Sequence, residues 1–504
     1  MLVGDLSKPW VVALAVGAAS SSSLLSCGAG GSRSGEQLAP DANEPPGAGG
    51  SSSAGPEAGG AGIGVIPGPA SPSVIFNPDD TPMPAAAPGP SLRRRGLVGK
   101  QVSCDGAATT SVSGTVYIPS GQLPLYNAMV YVPETELAPL TPGASCSCEI
   151  SGEPIVSALT DSAGRFVLEN VPVGDDIPLV IQVGDWRREF NIGSVEPCVE
   201  TRIADRTLKL PARQSEGDLP RIAVATGRLD ALECLVRKLG VDTSEFTNGR
   251  GGGRVELFAG YGGTPRYSRA LGGEDFAPAE ALWYDAESLA AYDIVLLSCE
   301  GDPRGHLENK DERALQGMFD YANLGGRLFA SHFQGIWFKN GPAPFPELAE
   351  FTSGNDDDYD TLSAQVVTSF PKGQALAEWV VSNGTSAAAE VPIRGGAHTI
   401  VKENTAYAQR WLDTTDPASV QYISANTPLG VADEQQCGRV VLSDIHVSPG
   451  DPGDDYSDPN TDFPEGCVSP TLSPQEAVLA FMLFDISACI VPDSQAPVAP
   501  PIIR

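Results

Sequence analysis

The hydrophobic pattern of this 504-residue chain changes near residue 211, and the change divides the chain between two types of fold. From about 97 to 210, short alternating apolar runs such as Ser113–Ile118 are separated by turn signals, which predicts an all-β sandwich. From 211 to 492, apolar runs such as Tyr292–Ser298 alternate with helical patterns such as Asp230–Leu239. This alternation predicts an α/β domain with a mostly parallel sheet covered by helices on both faces.

Residues 27–96 have a composition that favours disorder. Between Gly28 and Pro90 the chain is mainly Gly, Ser, Ala and Pro with scattered acids, so it has too little apolar bulk to offset the entropy of ordering. We therefore expect a flexible tether with a root-mean-square reach of about 45 Å, from ~5–6 Å × √n. The segment 493–504 is expected to be a disordered tail.

The N-terminus combines a short apolar run with a cysteine. Val11–Ala19 is too short to cross a bilayer, which needs roughly 20 apolar residues, and no later segment reaches that length. The run is followed by Leu24-Leu25-Ser26-Cys27, which resembles the lipobox of bacterial lipoproteins. The resemblance implies that residues 1–26 are a cleaved signal peptide and that Cys27 is acylated, which makes the membrane a partner through this lipid.

The same resemblance implies export to the cell envelope. Gly28, which follows the acylated cysteine, lacks the Asp that retains some lipoproteins at the inner membrane, so we expect an outer-membrane lipoprotein, either periplasmic or surface-exposed. The formal net charge is −31. Because a protein that neutralises phosphates needs a basic face, this charge excludes nucleic acid as a partner.

The cysteines are expected to be disulfides rather than zinc ligands, because the chain has no Cys-x-x-Cys pair and only four His. Four of them fall in the predicted sandwich: Cys104, Cys146, Cys148 and Cys198. Cys146 and Cys148 are too close in sequence to pair with each other, so we expect each to bond to Cys104 or Cys198. Five more leave an odd thiol in the second part: Cys234, Cys299, Cys437, Cys467 and Cys489.

Several segments of the first part resemble the carboxypeptidase regulatory-like domain: Gly114-Thr115-Val116, Ala128–Pro133, Thr160–Phe166 and Asn170–Gly174. That resemblance implies a seven-stranded sandwich without catalytic residues, which commonly serves as an accessory module of secreted proteins. The segment contains no His. We therefore look for chemistry only in the second part.

Three predicted strands of the second part are followed by chemically suggestive side chains: Cys299, Glu300, His332, Asp444 and His446. Because ligands of open α/β sheets bind outside the carboxyl ends of the strands, these residues are expected to line one pocket. In that pocket His332 or His446 would act as acid/base or metal ligand, oriented by Glu300 or Asp444. The alternative is that all five are polar residues at strand ends, hydrogen-bonded into loops.

The segments Asp230–Leu239, Tyr292–Gly301 and Gly325–His332 together resemble the class I glutamine-amidotransferase-like fold, and its ThuA-like branch is the nearest. His332 stands where catalytic members carry a nucleophilic Cys on a strand-to-helix turn. The Gly-x-Cys-x-Gly motif is replaced by Ala330–Gln334, which implies loss of the glutaminase nucleophile. His446 falls near the late His of that family, but no Pro-Glu pair follows it.

Three residues are candidate ligand-binding groups: Cys299, which is already named, and two new ones, Gln334 and Trp337. Trp337 lies five residues beyond His332 and so near the proposed cleft, although Trp more often packs in a core. For Cys299 the sequence leaves open a nucleophile, the odd buried thiol, or a disulfide partner of Cys234.

An acidic tract follows His446 and is a candidate Ca²⁺ site, through Asp451, Asp454, Asp455 and Asp458. A second acidic tract spans Asn355–Asp360. Neither tract has EF-hand spacing, so a solvated acidic loop is the alternative in each case. No other cofactor is indicated by the sequence.

These features lead to three hypotheses for the function. The first is an envelope lipoprotein whose second folded part is a degenerate, non-catalytic module that binds a carbohydrate or cell-wall ligand, since the nucleophile motif is absent. The second is a ThuA-like hydrolase or carbohydrate-processing enzyme that uses His332 and His446. The third is a purely structural envelope protein. The sequence leaves open whether the protein is an enzyme.

Overall fold

The computed structural model describes residues 93, 95–106, 108–148, 150–248, 252–284, 286–301, 310–352, 359–447 and 461–499. All of them belong to one compact unit that spans residues 86–504. The predicted signal peptide, the lipidation residue Cys27 and nearly all of the tether lie outside the described residues. So do the candidate Ca²⁺ ligands Asp451, Asp454, Asp455 and Asp458.

The first part consists of eight strands in two four-stranded sheets. One sheet has the order β4-β1-β7, with β8 also paired to β1, and the other has the order β3-β2-β5-β6. The bounds are β1 Ser111–Tyr117, β2 Met129–Pro133, β3 Pro154–Leu159, β4 Arg165–Glu169, β5 Pro178–Val183, β6 Trp186–Asn191, β7 Glu200–Arg202 and β8 Leu208–Lys209.

Alternation along β4 shows why these residues form a half-buried strand. Phe166 and Leu168 are buried, whereas Val167 between them is 57% exposed. The buried side chains of both sheets join in one hydrophobic cluster. The first part is therefore a two-sheet β structure.

The second part contains one twelve-stranded sheet with the order β11-β10-β9-β12-β13-β20-β19-β18-β15-β16, in which β17 also pairs with β19 and β14 with β17. The bounds are β9 Ile222–Ala225, β10 Val255–Ala259, β11 Ala277–Pro278, β12 Ile294–Leu297, β13 Arg327–Ser331, β14 Ala349–Phe351, β15 Tyr359–Val366, β16 Glu390–Gly396, β17 Ile400–Glu403, β18 Gln409–Thr415, β19 Ala418–Thr427 and β20 Gly438–Ser443.

This sheet is half parallel, which corrects the expectation of a mostly parallel sheet. The six strands from β11 to β20 in the sheet order are parallel to their neighbours, whereas every pairing among β14 to β19, and the pairing of β19 with β20, is antiparallel. The reason lies in the connections. Only Asp416 and Pro417 separate β18 from β19, and so short a link joins antiparallel strands only.

The helices of the described residues are α1 Leu232–Lys238, α2 Glu280–Trp283, α3 Ala286–Ala290, α4 Glu312–Asn323, α5 Ile336–Lys339, α6 Pro371–Ser382 and α7 Pro474–Ser487. The Ser473 side chain and Glu476 form a capping box at the start of α7. None of the helices in the described ranges has the length and apolar character needed to cross a membrane.

Alternate residues of the central strands belong to two different core clusters. Ile294 and Leu296 of β12 lie in a cluster that includes side chains of α1, α7 and both sheets of the first part. Val295 and Leu297 of the same strand lie in a second cluster with side chains of α2 and α4. The first part and the α/β part therefore share one core on one face of the sheet, whereas the buried cluster on the other face belongs to the α/β part alone.

Four disulfides join the cysteines of the described residues: Cys104–Cys198, Cys146–Cys437, Cys148–Cys489 and Cys234–Cys467. Cys299 is free and buried. The expectation that Cys146 and Cys148 bond to Cys104 or Cys198 is wrong. The loop between β2 and β3 reaches the α/β part, where the Gly143 N–H donates to Asp293 Oδ1 at 2.7 Å, and so both cysteines lie beside partners far along the chain.

Four disulfides agree with folding in an oxidising compartment.

The C-terminal segment also differs from expectation, since Asp493, at the start of the predicted tail, is bound to the core. Its carboxylate lies 2.8 Å from the Arg439 guanidinium and 3.4 Å from the Lys372 ammonium. Because both cations are almost fully buried, this carboxylate supplies countercharge that they need.

Candidate functional site

Three neighbouring parallel strands bring the candidate residues to one edge of the sheet. β13 lies between β12 and β20, with Leu297 opposite Ala330 and Ser331 opposite Ser443. Cys299 follows β12, His332 follows β13 and His446 follows β20, each within three residues of the strand end. Parallel strands with matched registers end at the same edge, so the three side chains converge although up to 147 positions separate them in sequence.

The geometry of this group, the Cys299–His332–His446 cluster, is tight. His332 Nδ1 lies 3.5 Å from Cys299 Sγ and 3.2 Å from His446 Nε2. One ligand atom from each residue lies within 4.8 Å of the other two. Cys299 and His332 are fully buried, and His446 is 8% exposed. The structure thus brings together three of the five residues that the sequence expected in one pocket, namely Cys299, His332 and His446.

The backbone at His332 is unusual. Its φ of 43° lies in the left-handed region, which a non-glycine residue adopts only when the surrounding structure enforces it. His332 starts a 3₁₀ turn, His332–Gly335, that leads into α5. This sharp turn directs the imidazole to the strand edge, where its ring stacks on Phe333 with centroids 4.1 Å apart.

His446 is held in its neutral form. Burial, followed by the nearby His332, lowers the pKa of His446 from 6.5 to about 3, against an opposing hydrogen bond between the imidazole and the Gly395 backbone. The Gln475 side-chain amide of α7 donates to the His446 carbonyl oxygen at 2.7 Å. Ring and backbone of His446 are therefore both fixed by hydrogen bonds.

Asp230 is a residue of this site that the sequence analysis missed. It is fully buried, and its Oδ1 accepts the Val447 N–H at 2.7 Å, directly after His446. The Ser331 hydroxyl and the Cys299 backbone N–H also face this carboxyl and favour its ionised form, but burial outweighs them and raises the pKa of Asp230 to about 7. One carboxyl thus contacts all three segments that carry the cluster.

The loop that contains Asp230 is packed tightly on the same segments. The Leu229 N–H donates to the Cys299 carbonyl oxygen at 3.0 Å, and the Ala231 N–H donates to the Val447 carbonyl oxygen at 3.1 Å. A Cβ added to Gly227 would lie 2.4 Å from the Cys299 carbonyl oxygen, so this position has room only for glycine. The signal was present in the sequence, because Asp230 also follows the carboxyl end of a strand, β9.

Glu300 lies next to Cys299, but its side chain is engaged elsewhere. Its Oε2 accepts a hydrogen bond from Lys310 Nζ at 2.6 Å, and its Oε1 accepts the Tyr261 N–H at 3.2 Å. The same ammonium group lies 4.9 Å from the centre of the Trp283 ring. Glu300 is therefore one half of a buried ion pair beside the cluster.

Asp444 and Gln334 support neighbouring turns. Asp444 Oδ2 accepts the Thr399 N–H at 2.7 Å. The Gln334 amide donates to the Ser298 carbonyl oxygen at 2.9 Å and accepts the Trp337 indole N–H at 2.8 Å. Trp337 is fully buried and makes an edge contact with Trp283, with ring centroids 5.2 Å apart. These three candidates brace the backbone around the cluster.

The chemistry open to the cluster follows from its groups. A thiol beside an imidazole is the arrangement of a nucleophile and its base. A thiol and two imidazoles also form a donor set for a transition metal. In the residues that the structure describes, this is the one group of His, Cys and acidic side chains with metal-site spacing.

Comparisons with known proteins give structural neighbours only. No family model matches the chain, and no curated protein matches its sequence. A solved structure of a putative ThuA-like protein from Bacteroides uniformis is similar over 52% of this chain and 90% of its own length, with 12% identity and a TM-score of 0.28. About half of the chain therefore has a ThuA-like structural neighbour.

Two further solved structures are interface mutants of a type II cohesin–X–dockerin complex from Acetivibrio cellulolyticus. One covers 26% of this chain and 85% of its own, with 20% identity and a TM-score of 0.15. The other covers 28% and 75%, with 17% identity and a TM-score of 0.14. With TM-scores this low, the function is argued from the site alone.

Proposed function

We propose that this protein is a cell-envelope hydrolase whose reacting centre is the Cys299–His332–His446 cluster. The supporting observation is that one thiol and two imidazoles, carried by three adjacent strands, meet within 4.8 Å at the edge of the sheet where α/β proteins bind ligands. Burying three such groups costs free energy, and arrangements of this kind concentrate at functional sites.

In this proposal the chain is attached to the outer membrane by lipid on Cys27, and the first part is an accessory module of carboxypeptidase regulatory-like type. The ligand is a carbohydrate or a cell-wall fragment, as the sequence resemblance suggests. A hydrolytic centre needs a group that accepts and returns a proton or polarises water, and imidazole can do the former and bind a metal for the latter.

A second candidate is a non-catalytic binding module. It is favoured by the complete burial of Cys299 and His332 and by the absence of the Gly-x-Cys-x-Gly motif. In that case the same edge of the sheet binds its ligand without turnover.

Activity and binding assays on the full-length chain separate the two candidates. The purified protein is offered chromogenic esters, amides and glycosides and peptidoglycan fragments, with turnover and calorimetric binding measured side by side. We expect turnover that His332→Ala or His446→Ala lowers by at least ~10²-fold, whereas His398→Ala, which changes a histidine outside the cluster, keeps it within about twofold.

Binding without turnover across the panel favours the second candidate. Turnover that survives both cluster variants removes the cluster from the reaction. The envelope assignment is tested separately, since Cys27→Ala should release the protein from the membrane fraction, and unchanged membrane attachment would contradict lipidation.

A further inference from the structure

We propose that Cys299, His332 and His446 together hold a divalent transition metal ion, zinc by the nature of the donor set. The inference deepens the proposed function and rests on it in one respect, namely that the ion would serve to activate water. The binding of the metal itself is argued from the cluster alone.

The first argument concerns hydrogen bonding. A ring nitrogen of His has one position in the ring plane, which holds either a hydrogen or a lone pair. His332 Nδ1 faces both Cys299 Sγ and His446 Nε2, at 3.5 and 3.2 Å. One position can complete a hydrogen bond with only one of these two atoms. A shared ion removes the conflict, because all three atoms then direct a lone pair at the same point.

The second argument concerns distances. Zinc lies about 2.0–2.1 Å from imidazole nitrogen and about 2.3 Å from thiolate sulfur in a tetrahedral site. The edges of such a tetrahedron are about 3.3 Å between two nitrogens and about 3.6 Å between nitrogen and sulfur, from the same bond lengths. The two separations from His332 Nδ1, 3.2 Å to His446 Nε2 and 3.5 Å to Cys299 Sγ, match these edges, and all three donor atoms lie within 4.8 Å of one another.

The donor types select a class of metal. Thiolate and imidazole suit zinc and its neighbours among the transition metals, whereas Ca²⁺ and Mg²⁺ take oxygen ligands. Three protein ligands leave one tetrahedral position open, which is the pattern of a catalytic zinc site. A water in that position would release a proton, its oxygen would bond to the electrophilic atom of the substrate while the bond to the leaving group breaks, and the released proton would be added to the leaving group, so that hydrolysis needs no oxidant or reductant.

The surroundings of the cluster are those of a supported metal site. The Gln475 amide of α7 donates to the His446 carbonyl oxygen at 2.7 Å and so fixes the backbone of this ligand. Asp230 and its loop fix the backbones of Cys299 and Val447 from the other side. The three ligands follow directly from strands, which hold their spacing better than long loops would.

Metal titration of the full-length protein is the test. The protein is stripped with a chelator, kept free of reductant so that its disulfides persist, and titrated with Zn²⁺ and Co²⁺. We expect one equivalent of zinc and, with cobalt, tetrahedral d–d absorption plus a thiolate-to-cobalt band. Cys299→Ser should remove the thiolate band, His332→Ala and His446→Ala should lower affinity at least 100-fold, and His398→Ala should change neither.

The unaltered protein alone decides the outcome if a variant fails to fold. Absence of stoichiometric zinc, or a cobalt complex without a thiolate band, overturns the metal site. Bound zinc with no hydrolysis leaves the metal site standing and contradicts the proposed function. Hydrolysis that continues after chelation, in a protein without bound metal, contradicts the role of the metal in activating water and leaves the proposed function standing.

Discussion

The three strands that carry the cluster have two very different ends. At the carboxyl ends, one reactive side chain from each strand converges on a single point. At the amino ends, each strand is tied to the same short loop of the first part, residues 143–146. The ties are Gly143 N–H to Asp293 before β12, the Ser145 carbonyl against Gly325 before β13, and the disulfide of Cys146 with Cys437 before β20.

This difference shows how the molecule divides its work. The amino edge is closed by a disulfide, and the contact at Gly325 is tight, since a Cβ there would lie 2.3 Å from the Ser145 carbonyl oxygen. The carboxyl edge is positioned by hydrogen bonds from Asp230 and its loop. The amino edge fixes the spacing of the strands, and at the carboxyl edge this spacing brings the three side chains of the cluster together.

The largest effect is expected at the amino edge. Replacing the Cys146–Cys437 disulfide with serines removes a link between residues 291 positions apart, which should lower the free energy of unfolding by about 2–5 kcal/mol. Zinc affinity should change less than about threefold, because the cluster lies at the other end of the strands. Denaturant unfolding and metal titration measure the two quantities.

The matched control for that experiment is Cys104→Ser with Cys198→Ser, which opens a disulfide within the first part. It should lower stability without touching either strand edge. If the Cys146–Cys437 variant loses zinc affinity and the control does not, the two edges are coupled and the division of labour drawn above is wrong.

The next effect is a pH dependence of the folding stability, which arises from a buried carboxyl in α1. Burial, with the nearby charge of Asp230, raises the pKa of Glu233 in α1 from 4.5 to about 8. A folded state that holds a proton more tightly than the unfolded state loses stability as pH rises from about 4.5 to 8. Glu233→Gln should therefore gain a few kcal/mol over the unaltered protein by pH 9, with a ceiling of about 5 kcal/mol set by ~1.4 kcal/mol per pKa unit.

Thermal unfolding of both proteins between pH 4.5 and pH 9 measures this gain. The gain should be small near pH 4.5, where the carboxyl is neutral in the folded state and only half ionised in the unfolded state. A stability difference that is constant across this range would mean that Glu233 does not titrate in the folded protein.

The smallest expected effect concerns Asp230 itself. Asp230→Asn keeps an acceptor for the Val447 N–H but removes the charge, and the loss of such a supporting carboxylate typically lowers metal affinity 10–100-fold, about 1.4–2.7 kcal/mol. Glu233→Gln is the control, because it replaces a buried carboxyl on the adjacent helix with an amide. Equal zinc affinity in the two variants would deny Asp230 a special role at the carboxyl edge.

The sequence predicted the features that depend on local pattern. Strand runs such as Ile294–Leu297 and the capping pattern at Ser473 are visible in a few consecutive residues, and the rule for carboxyl strand ends pointed to His332 and His446. It failed for features that depend on contacts between distant segments. The partners of Cys146 and Cys148 follow from the course of a loop, and no local signal marks that course.

Two other differences between the sequence prediction and the structure also depend on contacts between distant segments. The antiparallel half of the sheet follows from hairpin connections, such as the two-residue link after β18. Assigning strands one at a time from the sequence does not show which strands pair or in which direction. Asp230 escaped notice because an aspartate after a strand is common, and only the fold shows that its carboxyl faces Cys299, Ser331 and Val447.

The disulfides of Cys146 with Cys437 and of Cys148 with Cys489 have one more consequence. They make a closed covalent ring of most of the α/β part. The ring is closed at the loop between β2 and β3, which carries Cys146 and Cys148. A single proteolytic cut between Cys148 and Cys437 opens the ring but separates no fragment, so the nicked chain keeps its mass until it is reduced. In a medium that contains proteases, damage to this region is retained in place.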